Sequence, residues 1–185
     1  MVRGYFLTRL IKVKLLNNKI VEYIDVVDRN DEFVKTIDRA NHMDDEIVRV
    51  TGFFILNKED KVLLQLRSVN KKRYPNRWDC TGGGHVESGE DYLVSAQREL
   101  FEEAGIETEL KFLDKVFFEL DDGRKHFNAY FIGTFDGDIK IDLNEVSQVR
   151  AFSKQELREM VKDESKFHPE CVYGLKKYVL DVTQR

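Results

Sequence analysis

The chain has 185 residues, 42% hydrophobic and 11% aromatic, with a formal net charge of −4. That length and apolar content suit one folded domain with a sizeable core and exclude a disordered chain, and the acidic balance leaves no basic footprint for general nucleic-acid binding. Two cysteines, Cys80 and Cys171, are too few for a disulfide framework and lack metal-site spacing, so a reducing compartment is expected.

The opening stretch "MVRGYFLTRLIKVKLL" is interrupted by Arg3, Arg9, Lys12 and Lys14, so it lacks the apolar centre of a signal peptide. No apolar run approaches the length of a membrane span, and a cytoplasmic protein is the expectation. Residues 1–18 carry alternating apolar residues that suit an extra strand, either added to the edge of the monomer or paired across a two-fold axis in a homodimer. The main domain is expected over 19–185.

"IVEYIDVVD" (20–28) alternates and is rich in β-branched residues, which predicts a strand, followed by a turn and a short strand. "EIVRVTGFFILN" (46–57) and "KVLLQLR" (61–67) predict a hairpin around the polar turn "KED". "SVNKKRYPNRW" predicts a loop, and the pattern turns helical from Gly89 to Ala104, with Gly105 placed to stop the helix. "ELKFLDKVFFEL" and "HFNAYFIGTF" predict two more strands, "SKQE" (153–156) has the form of a capping box, and a last helix is expected near 168–182. Strands, helix, strands, helices in that order predict an α/β fold with a mixed sheet sandwiched by helices.

The helix over 89–104 raises an electrostatic problem. At about 100° per residue, Leu93, Val94, Ala96, Leu100, Phe101 and Ala104 fall on one side, while Glu99, Glu102 and Glu103 gather on another. Like charges at this spacing cost about 0.2–0.5 kcal/mol per pair, and the last turn of a helix disfavours anions further. Arg98 offsets one of them, being the i−4 neighbour of Glu102. A solvated acidic face is one reading; a site for a hard divalent cation, which prefers carboxylate oxygens, is the other.

The segment "GHVESGEDYLVSAQRELFEEAGI" (84–106) decides between them. It places Gly84, Glu90, Arg98-Glu99-Leu100, Glu102-Glu103, Gly105 and Ile106 at the spacing of the Nudix box, G-x5-E-x7-R-E-U-x-E-E-x-G-U with U aliphatic. The segment resembles that box at all nine defined positions, and the looser likeness extends over about residues 20–180. The resemblance implies a Nudix-type α/β/α sandwich and an enzyme that hydrolyses a phosphoanhydride with Mg²⁺ or Mn²⁺. It makes Glu99, Glu102 and Glu103 the candidate metal ligands, with the Gly83 carbonyl as a further one. Glu90 and Arg98 become the pair that orients them.

For the general base the resemblance leaves two candidates, Glu99 first and Glu145 of "NEVSQVRAF" second. Candidate phosphate contacts are Arg67 and, more weakly, Arg73. Gly84 belongs to a glycine run that lets the backbone approach metal and phosphate, and His85 beside it has either a phosphate contact or a loop hydrogen bond as its duty. Trp78 and Tyr74 are candidates for stacking on a base or for the core. His42, His126 and His168 have no partners at informative spacing.

Residues 25–106, with "VLLQLR" and "YPNRWDCTGGGHVESGE", further resemble the Nudix subgroup near isopentenyl-diphosphate isomerase. That enzyme needs a cysteine at the position of Gly83, so an isomerase is the disfavoured alternative; Cys80 lies three residues too early. A non-catalytic nucleotide-binding module is a third reading, opposed by the complete set of box glutamates. The expected substrate is a small pyrophosphate, a nucleoside di- or triphosphate derivative, and the group attached to it is left open.

Overall fold

The structure is a computed structural model that describes residues 15, 16, 19–137, 139 and 145–180. Most of 1–18, and with it the expected extra strand or homodimer contact, lies outside the described residues. Leu15–Leu16 (β1) pairs antiparallel with Lys19–Ile20 (β2) as a short ribbon separate from the main sheet.

The main sheet is built on Ile47–Leu56 (β5), a run of β-branched and aromatic residues that is buried along nearly all its length. Lys125–Thr134 (β10) lies parallel to β5 from Lys125↔Ile47 to Thr134↔Leu56, and Lys111–Glu119 (β9) follows antiparallel outside it. The other edge of β5 is shared by three strands in succession. Tyr23–Val27 (β3) takes Ile47 and Val48, Gly82–His85 (β8) takes Val50 to Phe53, and Val62–Arg67 (β6) takes Ile55 and Leu56. Phe33–Asp38 (β4) extends β3, while Trp78–Asp79 (β7) and Val146–Phe152 (β11) extend β6. The expected hairpin of β5 and β6 is therefore joined by only two residue pairs, and a cleft opens where β6 and β8 part.

Successive apolar residues of β5 point to opposite faces, so each face is covered by a helical layer. Phe53 and Ile55 pack with Ala96, Leu100 and Ala104 of the helix Tyr92–Ala104 (α1) and with Ala129 and Phe131 of β10. Phe54 and Leu56 pack on the opposite side with Tyr130, Leu157 of the helix Lys154–Met160 (α2), and Cys171, Val172 and Leu175 of Pro169–Gly174 (α3) and the π-helical turn after it. The result is the expected mixed sheet between helices. Among the described residues no helix is long and apolar enough to cross a membrane.

Local signals explain most boundaries. Asp91 caps α1 by accepting from the Val94 N–H at 2.8 Å, which starts the helix later than Gly89. Gly105 closes it in the left-handed conformation, φ 65°, with its N–H on the Phe101 carbonyl. Ser153 and Glu156 form the reciprocal capping box at the start of α2. Two features depart from the pattern. The glycine run 82–84, to which the pattern gives no element, is a strand, because β5 offers it a free edge. The buried stripe of α1 is narrower than its apolar residues suggest: Leu93 and Phe101 are exposed, since the neighbouring face of the helix rests on the glycine strand.

This geometry sets the cost of truncation on α1. Leu100→Ala is expected to lower stability by about 3 kcal/mol, and Leu93→Ala by less than about 1 kcal/mol, in urea denaturation. Equal losses at the two positions would contradict the assigned face.

Candidate functional site

The glutamates of helix α1 reach down onto the glycine backbone of strand β8. A Cβ on Gly84 would overlap the carboxylate of Glu99, and one on Gly82 would overlap that of Glu103 and lie 2.7 Å from the Phe53 ring. A Cβ on Gly83 would overlap the Thr51 carbonyl of β5. The glycine strand thus seats two of the helix glutamates directly against its backbone, and the Gly83 N–H donates to Glu103 Oε2 at 3.2 Å.

Arg98 organises the remaining charges. Its Nη1 donates to Glu99 Oε1 at 2.8 Å and Glu102 Oε2 at 3.1 Å. Its Nε and Nη2 fork onto Glu90 at 3.1–3.3 Å, and Nη2 also reaches the His85 carbonyl at 3.1 Å. Burial opposes a charge on this guanidinium, but hydrogen bonds and attraction from Glu90 and Glu99 outweigh it and hold the group charged. Burial, helped by Glu102, pushes Glu99 above the ordinary carboxylate range against the pull of Arg98. Glu103 is pushed up to about 8, first by burial and then by Glu99, with the Gly83 N–H acting the other way.

The donor set suits a hard divalent cation: three carboxylates on one helix, two facing a backbone strand, and a like-charge cost that a cation relieves. Their oxygens do not converge as a set within 4.8 Å, because Arg98 draws Glu99 and Glu102 while Gly83 holds Glu103. A cation here competes with Arg98 for oxygens rather than entering a finished cage.

The site opens onto a cleft of about 560 Å³ between β6, β8 and the loop 68–77. Its rim is basic, with Arg39, Lys71, Lys72, Arg73, Arg124 and Lys125 among its lining residues. Arg67 also lines it, yet its nitrogens bond Asp79 at 2.8 Å and the Tyr74 and Arg73 carbonyls at 3.2 Å, so it braces the loop. Arg73 bridges Asp44 at 2.8 Å and Asp122 at 3.2 Å on the rim. Glu145 is exposed and ion-paired with Lys71, whose ammonium is half-buried near Glu103; burial first, then Arg67, lowers the Lys71 pKa. His85 sits on β8, and burial first, then Arg39 and His42, lowers its pKa to about 3, leaving a neutral ring. Its carbonyl rather than its ring meets Arg98.

Sequence reasoning missed the floor of this cleft. His126 and Asn128 on β10 face the same side as Tyr130 and meet Glu170 at the start of α3. His168 closes the group, with its ring 4.5 Å from that of Tyr74. His42 and His85 lie edge to face at 6.4 Å on the wall. The strand pattern His-x-Asn-x-Tyr, polar residues at buried parity, was the available signal. Trp78 instead packs on Phe152 in the core, at 4.7 Å. Cys80 and Cys171, distant in sequence, come together beside Asp79 within 4.8 Å and are free thiols.

The raised Glu103 has a consequence for the metal-free protein. A carboxyl with a folded pKa of about 8 against an ordinary 4.5 binds its proton more tightly when folded. Stability is therefore greatest below pH 4.5 for this group and falls as pH rises from about 4.5 to 8. In EDTA, urea midpoints measured across that window are expected to slope less for Glu103→Gln than for wild type; identical slopes would contradict the burial of this carboxyl.

Comparison with known proteins agrees with the site. The NUDIX domain model matches residues 46–172. A Nudix hydrolase of Pseudomonas aeruginosa is 30% identical over 160 residues, covering 85% of this chain and 94% of that protein. An isopentenyl-diphosphate Delta-isomerase of Photorhabdus laumondii is 27% identical over 145 residues, 76% of this chain and 82% of that one. The solved structure of DR0079 from Deinococcus radiodurans shares the fold, with a TM-score of 0.72 at 23% identity over 84% of this chain and 98% of that chain. This chain belongs to the Nudix hydrolase family, enzymes that hydrolyse pyrophosphate bonds.

Proposed function

We propose that this protein hydrolyses the phosphoanhydride of a small, nucleotide-derived pyrophosphate, with Mg²⁺ or Mn²⁺ held by Glu99, Glu102, Glu103 and the Gly83 carbonyl. The observation that carries the reading is the seating of Glu99 and Glu103 against a glycine strand at the head of a basic-rimmed cleft. A bound divalent ion supplies charge neutralisation of the pyrophosphate and a water of lowered pKa.

The chain's own residues do the rest. The Gly82–Gly84 backbone lets phosphate oxygens come close to the helix. Arg39, Lys71 and Arg124 offset the remaining negative charge, which otherwise repels the attacking water. Arg98 fixes the rotamers of Glu99 and Glu102 and ties them to Glu90. Glu99 is the proposed general base, since its carboxylate is only 15% exposed and lies on Gly84. Glu145, 54% exposed and paired with Lys71, is the second choice. Arg73 holds the rim by its two aspartates, and Arg67 and His85 shape the cleft wall. Segment 1–18 is proposed as an accessory to the catalytic domain 19–185.

The isomerase alternative is not favoured: the position its cysteine needs is Gly83, and Cys80 is 5% exposed and packed with Cys171. A binding module is disfavoured by the intact glutamate set.

The test is product release from nucleoside triphosphates, nucleotide sugars, dinucleoside polyphosphates and isopentenyl diphosphate, with Mg²⁺ or Mn²⁺ and with EDTA. Hydrolysis is expected for a nucleotide-derived member, abolished by EDTA and reduced roughly 100-fold or more in Glu103→Gln and Glu102→Gln. Turnover that persists in EDTA or in both variants would overturn the metal assignment.

A further inference from the structure

The floor of the cleft is unlike its rim. Four of its polar residues are almost fully buried: His126 and Asn128 at 4% exposure, His168 and Glu170 at 7%. The Glu170 carboxylate is held from one side: Asn128 Nδ2 donates to Oε2, and His126 Nε2 lies 3.0 Å from the same oxygen. Burial by itself would raise the Glu170 pKa, but His126, His168 and Asn128 outweigh it and hold it at about 2. Its other oxygen, Oε1, is 3.8 Å from His168 Nδ1, beyond hydrogen-bond distance.

This arrangement decides which way Asn128 faces. A carboxylate only accepts, so the amide must turn Nδ2 toward Glu170 and leave Oδ1 on the opposite side. Asn128 Oδ1, His126 Nε2 and His168 Nδ1 have no hydrogen-bond partner among the described residues. The amide lies along Gly52 of β5, where a Cβ would stand 3.4 Å from Oδ1, 3.5 Å from Nδ2 and 3.8 Å from Cys80 Sγ, ordinary contact distances. The floor therefore holds an amide oxygen without a donor beside a carboxylate with one oxygen short of one, a pair that an occupant bearing donors would complete.

We propose that this floor is the specificity pocket for the group carried by the pyrophosphate, and that it takes a head bearing N–H or O–H donors, with Asn128 Oδ1 accepting from it and Glu170 fixing the amide. The proposal rests on the reading that the phosphates lie at the glycine strand. The donors come either from an amino-substituted heterocyclic base or from sugar hydroxyls. A pyrophosphate with a hydrocarbon head leaves both acceptors unpaired and is rejected.

The experiment is calorimetric binding with Ca²⁺ in place of Mg²⁺, so that ligands stay intact. The ligands are inorganic pyrophosphate, isopentenyl diphosphate, ribose 5-diphosphate, which has sugar hydroxyls and no base, for the sugar arm, and ADP and CDP, whose gain over ribose 5-diphosphate reads the amino base. At least one donor-bearing ligand is expected to bind about tenfold tighter than isopentenyl diphosphate, and the arm in which it falls names the source. Asn128→Ala is expected to erase that preference while pyrophosphate binds within about twofold of wild type. Gly52→Ala, whose Cβ would fill the space beside the Asn128 amide at ordinary contact distance, is expected to do the same and covers the case of an Asn128 variant that does not fold. No preference in the wild type, a preference that survives in a folded variant, or pyrophosphate binding that falls in step with head binding would each overturn the proposal. Failure of the hydrolysis reading shows separately, as absence of product release under Mg²⁺ or Mn²⁺.

Discussion

The contact on which the rest of the site depends is the fork of Arg98 between Glu90 and the pair Glu99 and Glu102. Three glutamates in the last two turns of a helix repel one another, and two of them face the unfavourable end of its dipole. Without a cation in their midst that helix end would fray or the carboxyls would take up protons. Arg98, 19% exposed and bonded to three carboxylates and one carbonyl, holds two of the three in place before any metal arrives. The third, Glu103, is held by a backbone N–H and by burial. Removing one partner from such a half-buried network costs more than forming it returns, which is why the glutamates and the arginine act as a unit.

The sheet supplies the complementary constraint. Since β3, β8 and β6 take successive stretches of one edge of β5, none of them covers the full length of β5. The parting of β6 from β8 makes the cleft, and the two-faced burial of β5 makes the parting tolerable, because Phe53 to Leu56 remain packed on both sides. Chemistry is thereby divided along the cleft. Carboxylates and glycine backbone stand at one end, cations on the rim, and an amide oxygen and a carboxylate on the floor. A molecule with a pyrophosphate and a hydrogen-bonding head matches that division of charge.

Local pattern made much of this legible. The strands, the order of elements, Gly105 as a left-handed stop and the Ser153 capping box all follow from residue type and spacing, and the box positions pointed to the helix and its glutamates. Three features did not follow. Gly82–His85 is a poor strand by propensity, and only the free edge of β5 makes it one. The apolar residues of α1 mark a wider face than the one buried, because a glycine strand under a helix leaves no apolar signature of its own. The floor joins residues 126 and 128 to residue 170, a tertiary meeting for which no local periodicity exists. The encounter of Cys80 with Cys171 was hidden for the same reason.

The most direct measurement of the central claim is a Mn²⁺ titration of EDTA-stripped protein followed by electron paramagnetic resonance, with Glu103→Gln titrated in parallel. The account predicts that the free-ion signal is quenched by wild-type protein and restored in the variant. Mn²⁺ that stays free beside the wild type, or that binds both proteins alike, would contradict the assignment of these glutamates.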